Sequence, residues 1–221
     1  MSVAETGSTP SSSPSSDIGS PSLMSRCPSL AAAEVLAAQR GLADRIGVLA
    51  AGIEDLPAAF ERGRFDVVLC HNVIQYLPDP QRAIAVLAGQ LNATGLLSVI
   101  APNAAADPLL AAVRNLDPEE ALRLLDSPTR HTVTYGAQTR ACFAEDAAGD
   151  LASAGLRVLA HCGIRAVCDL IVDDARKADP DFYDQLERLE LVLATRDPYI
   201  HTARFFQLIA AHPDPAVLGV R

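Results

Sequence analysis

The sequence predicts an α/β fold, an open and mostly parallel sheet with helices against it. Two apolar runs and the stretch between them carry this expectation. FDVVLC, at 65–70, and GLLSVIAP, at 95–102, lack polar alternation, as strands buried on both faces do. Between them Asp79 and Pro80 open a helical stretch, QRAIAVLAGQL, which NATG at 92–95 is expected to end. Strand, helix and strand of these lengths form a βαβ unit whose strands pair in parallel.

The remaining elements follow in order. Residues 1–29 hold 11 Ser and 4 Pro with almost no aliphatic side chains. Such a segment buries too little apolar surface to offset its ordering entropy and is expected to be disordered; the domain then runs from 30 to 221. Ser29 can cap a helix, LAAAEVLAAQR, with Leu30, Ala33, Val35 and Leu36 on its apolar face and Gly41 at its end. The short apolar run in RIGVLAAG suggests a buried strand from about Ile46 to Ala50. DPLLAAVRNL and DPEEALRLLD each begin with aspartate and proline, which suggests a small helical insertion over about 104–140. A helix in AEDAAGDLASAGL leads to a strand in RVLAHCGIRAV. A long helix follows, with Phe182, Leu186, Leu189 and Leu193 at near-helical spacing, and ARFFQLIAAH closes the sheet as an edge strand.

Composition bounds the function. At 221 residues the chain suits one domain with a sizeable core. A net charge of −9 argues against a protein that coats DNA by bulk electrostatics. No window approaches 18 consecutive apolar residues, and the N-terminus lacks a basic start followed by an apolar run, so a soluble, cytoplasmic protein without membrane partners is expected. The five cysteines include no CxxC pair, which suggests neither a metal site nor a disulfide framework.

GIEDLP, FDVVLCHNVIQYLPDP and LNATGLLSVIAPN together resemble the middle and late motifs of class I S-adenosylmethionine-dependent methyltransferases. The resemblance implies a Rossmann-like methyltransferase sheet with an antiparallel last strand, and S-adenosylmethionine as cofactor. It places Ile53, Glu54 and Asp55 in a turn around the adenine. His71, at the end of its strand, would approach both the cofactor and the transfer site. GIRAVCDLI and the C-terminal DPYIHTARFF are further similar to bacterial enzymes that esterify 5-carboxymethoxyuridine in tRNA. That similarity implies a carboxylate or other oxygen or nitrogen acceptor, on tRNA or on a small molecule, with Arg165, Tyr199 and Arg204 binding the substrate. Arg165 would also serve catalysis by holding the carboxylate, since a guanidinium fork matches its two oxygens.

The sequence departs from the family at its start. The family's first strand ends in a pattern like Asp-x-Gly-x-Gly, whose glycines admit the cofactor's methionine end. Here ETGSTP and DIGSPS are the nearest candidates, and neither follows a strand; Arg26 stands where an acidic residue should accept the ribose hydroxyls. The sheet is therefore expected to be N-terminally incomplete, with an unpaired edge and weak stability. A misassigned reading frame over the first thirty or so residues accounts for this most simply, ahead of a degenerate protein that no longer binds the cofactor tightly and, last, of a half supplied by a partner chain. The alternative to an enzyme is a catalytically silent methyltransferase-like protein acting as a binding module.

Overall fold

The computed structural model describes residues 28–131 and 138–213. The serine-rich run up to residue 27, and Arg26 and Cys27 with it, lies outside these. The chain divides into two units, Met1–Glu61 and Arg62–Arg221.

In the first unit, α1 spans Pro28–Gln39. Proline takes the first helical position, where its missing N–H costs nothing, so Ser29 lies inside the first turn rather than capping it. Gly41 follows the helix end as expected. The apolar face differs from the expectation: Ala37 is buried, while Val35 and Leu36 are 54% and 55% exposed. The strand expected at Ile46–Ala50 is not formed. That stretch is irregular and Leu49 is exposed. A short apolar run signals burial but does not provide the neighbouring backbone that a strand needs. Ile53–Asp55 then makes one 3-10 turn leading into the short α2, Leu56–Ala59.

The second unit is built on a four-stranded sheet. β1 (Phe65–His71) pairs in parallel with β2 (Leu91–Pro102), joined by α3 (Pro80–Ala88). Asp79 caps α3 by accepting from the Arg82 N–H at 3.0 Å. The helix stops before NATG, which instead forms the bulged start of β2, where the register slips between Phe65 and Val67. Glycine is required there, because a Cβ on Gly95 would lie 2.9 Å from the Phe65 carbonyl oxygen.

β6 (Phe205–Ala211) runs antiparallel between β2 and β5 (Arg157–Ile164), giving the order β1-β2-β6-β5. The last strand is thus internal, not an edge. On one sheet face Val68, Cys70, Leu97, Val99, Phe206, Leu208 and Ala210 are all buried. α3 lies over this face beside α6 (Ala144–Ser153), with Ile84, Leu87 and Leu151 fully buried; sheet and helices bury one shared core. The opposite face carries a row of hydrogen bonds in which His71 and Gln207 both meet the Ser98 hydroxyl at 2.9 Å. Beside β1 that face is open, with Val67, Leu69 and Leu96 exposed.

Between β2 and α6 lie α4 (Asp107–Leu109), continued by a π-helical turn to Arg114, and α5 (Pro118–Leu125). The insertion is not wholly helical, since β3 (Thr129–His131) and β4 (Gln138–Arg140) pair as a separate two-stranded sheet. The chain continues through α7 (Asp174–Lys177), α8 (Pro180–Leu193) and α9 (Tyr199–Thr202). On α8, Leu186 and Leu193 are buried, but Leu189 is 44% exposed and stands off the expected face.

Candidate active site

Three chain segments are tied together where β2 and β5 end and β6 begins. The Asn103 N–H donates to the Arg204 carbonyl (3.0 Å), and the Arg204 N–H donates to the Arg165 carbonyl (3.1 Å). The Asn103 side chain is buried; its amide donates to the carbonyls of His201 (2.8 Å) and Ala203 (3.0 Å). Glycine at 163 lets α9 approach β5 closely, since a Cβ there would sit 2.9 Å from the Ile200 Cα. This is the carboxyl end of the parallel strands, where open α/β sheets bind their ligands.

A cavity of about 670 Å³ opens there, lined by Asp107, Arg130, Arg165, Asp169, Arg204 and Phe205 among others. Asp107 accepts both donors of the Arg130 fork, and the Arg204 Nη1 joins it at 2.8 Å. Asp169 pairs with Arg165, and the Arg204 Nε lies 3.8 Å from its other oxygen. Both aspartate side chains are only 14% exposed. Burial lowers the pKa of Arg204, and the like charge of Arg130 lowers it further, against the pull of Asp107. The guanidiniums of Arg165 and Arg204 both stand 5.8 Å from the centre of the Phe205 ring.

Arg165 adopts φ +60°, uncommon for a non-glycine residue. The turn that follows is held by Glu190 of α8, whose carboxylate accepts the N–H groups of Ala166 (2.6 Å), Val167 (2.9 Å) and Cys168 (2.7 Å). Three converging amides and a negative charge make strong hydrogen bonds and fix where the Arg165 side chain begins.

Of the residues singled out in the sequence, Arg165 and Arg204 line this cavity together. Tyr199, at the start of α9 and 44% exposed, is not among its lining residues, nor is His71. His71 ends β1, hydrogen-bonded to Ser98, and burial lowers its pKa. Ile53, Glu54 and Asp55 belong to the first unit, where Ile53 is buried and Glu54 exposed. Asp55 closes its own turn by accepting the Gly52 N–H at 3.1 Å. Asp107, Asp169, Arg114, Arg130, Lys177 and Glu190 escaped the sequence reading as site residues. Asp107 was visible only as a helix start, and its bond to Arg204 spans 97 residues of chain.

A family described as a methyltransferase domain matches residues 26–148. The chain belongs to this family. The structure of a methyltransferase-domain protein from Thermotoga maritima, described as S-adenosylmethionine-dependent and a possible histamine N-methyltransferase, aligns at a TM-score of 0.51 with 14% identity, covering 78% of this chain and 68% of that one. The [4+2]-cyclase SpnF aligns at 0.50 with 19% identity, covering 83% of this chain and 62% of that one. A Burkholderia thailandensis 1,6-didemethyltoxoflavin N1-methyltransferase, solved with S-adenosylhomocysteine, aligns at 0.47 with 13% identity over 86% of this chain and 59% of that one. The methyltransferase-domain chain thus spans less than two thirds of the length of SpnF. The likenesses to SpnF and to the Thermotoga protein show a Rossmann-like methyltransferase fold, and a cyclase with that fold leaves the reaction to be argued from the site. No curated protein sequence matches the chain.

Proposed function

We propose that the protein transfers a methyl group from S-adenosylmethionine to an oxygen or nitrogen of an acceptor seated in the arginine-lined cavity. The observation that carries this reading is the cavity's position at the carboxyl ends of β2 and β5 in a methyltransferase-domain chain. S-Adenosylmethionine supplies a methyl carbon that is already electrophilic. What remains for the protein is to bind and align.

The acidic turn fits an adenosine. Ile53 is buried at its base, and the Glu54 carboxylate has no hydrogen-bond partner among the described residues, so it can accept from a ligand. Asp55 shapes the turn through Gly52. Burial favours the neutral imidazole of His71; bonded to Ser98 and outside the cavity lining, it acts as a base only for an acceptor that reaches the end of β1. Arg165 orients the acceptor, Arg204 lines the same cavity while bridging Asp107 and Asp169, and Tyr199, outside the lining, meets only an acceptor that extends beyond it. A carboxylate acceptor needs no base at all, since it is already ionised.

A small molecule suits this site better than tRNA. Of the four arginines at 114, 123, 130 and 140, Arg114 and Arg130 line the recess, which leaves Arg123 and Arg140 of that insertion, too few to form there the basic surface RNA demands. The four described cysteines are free thiols, as a reducing cytoplasm keeps them.

A second reading, a catalytically silent binding module, is favoured by the open apolar corner at Val67, Leu69 and Leu96. Incubation with methyl-labelled S-adenosylmethionine and a panel of small carboxylic acids, phenols and amines separates the two. Label should enter an acceptor, and Arg165→Gln should lose about tenfold or more of the rate. Transfer to no member of the panel, despite cofactor binding, favours the silent module.

A further inference from the structure

We propose that the cavity binds its acceptor through an oxyanion, a carboxylate or a phosphate, held by Arg114, Arg165 and Lys177. The inference rests on the cavity being the acceptor pocket and adds how the acceptor is gripped.

Charge carries it first. The lining holds five cations, Arg114, Arg130, Arg165, Lys177 and Arg204, against the carboxylates of Asp107, Glu120 and Asp169. An excess of positive charge is gathered in one recess of a chain whose net charge is −9.

The pairing within the recess then separates the cations. Arg130, whose side chain is 10% exposed, is engaged by Asp107, and Arg204 bridges Asp107 and Asp169. Those two guanidiniums are internally compensated. Arg114 is not. Its Nη1 donates at 2.6 Å to the backbone carbonyl of Asp169, and among the described residues it forms no ion pair. Arg165 shares Asp169 but keeps its side chain 52% exposed, open to the recess. The Lys177 side chain is 24% exposed, and its partner Asp174, 2.6 Å away, is 80% exposed and mostly solvated.

Arg114 and Arg165 meet the same residue, one at its carbonyl and the other at its carboxylate. Asp169 thus anchors both guanidiniums, while its carboxylate is bonded to Arg165 and not to Arg114. A guanidinium has five donors and no acceptor, so Arg114 and Arg165, both lining the recess, keep donors beyond those bonded to Asp169. The three cations come from the end of the π-helical turn, the turn after β5, and α7. A grip supplied by separate elements converges on a ligand instead of neutralising a local helix face. A volume of about 670 Å³ suits a small molecule.

The test is calorimetric titration of the full chain with inorganic phosphate and, separately, with acetate, at fixed ionic strength. Saturable binding is expected, weakened about tenfold by Arg114→Gln and by Lys177→Met and unchanged by Arg82→Gln on α3. Tighter phosphate binding assigns a phosphate-bearing acceptor, and tighter acetate binding a carboxylic acid. Circular dichroism establishes that each variant folds. No saturation up to about 100 mM of either anion, or variants at Arg114 and Lys177 that bind like the parent, overturns the inference. S-Adenosylmethionine titrated into the same samples separates the failures: cofactor binding without anion binding rejects only this inference, and anion binding without cofactor binding upholds the grip but rejects the proposed reaction.

Discussion

One buried amide, that of Asn103, joins the end of β2 to the segment that presents Arg204. Its Nδ2 satisfies two carbonyls, and its Oδ1 accepts the Ala105 N–H at 3.2 Å. Asn103→Ala leaves three polar backbone groups without that partner in a site 2% exposed, and unmade buried hydrogen bonds cost more than made ones return. A loss of about 2–3 kcal/mol in urea unfolding is expected, together with weaker acceptor binding. A loss below about 0.5 kcal/mol would mean that water replaces the amide. The sequence offered Asn103 only as part of IAPN, because the carbonyls it serves lie about a hundred positions away. Arg165 was legible for a local reason: it ends an apolar run, and strand ends of such sheets face ligands. Its left-handed backbone and the Glu190 clamp were not, since the clamp joins elements 22 to 24 residues apart.

Among the elements, those with a local cause were the most legible. α3, α5 and α8 each begin after an aspartate whose side chain accepts an N–H three residues on, with proline at the first position. β1 and β2 announced themselves as apolar runs. The run at Ile46–Ala50 had the same signature and formed no strand, because composition does not specify a pairing partner. The place of β6 between β2 and β5 was likewise hidden, as order in a sheet is decided by contacts distant in sequence. β1, paired on one side only among the described residues, keeps Val67 and Leu69 about half exposed. An open apolar edge invites association, and a lysine on it is the usual protection. Leu69→Lys is therefore expected to lower light scattering at high concentration without lowering the melting temperature; unchanged scattering would place the sticky surface elsewhere.

For the whole molecule, two histidines set an acid limit. His71 is shifted down by burial, and His161 by burial and then by His201, whose ring stands 5.6 Å away. The unfolded chain takes up protons near the ordinary histidine value of about 6.5, while the folded chain resists them. Stability is thus present above that pH and falls as acidification passes it toward the lowered folded values. Melting temperature should drop below about pH 6.5, and His161→Asn should flatten the fall.

Family and fold were legible from the motifs at 52–103, but the arginine recess was not, since its charges come from four separate stretches of chain. If this chain binds S-adenosylmethionine, calorimetric titration of the cofactor into the full chain will register it. Saturable heat with one cofactor per chain is expected. Flat heats up to millimolar cofactor would contradict it.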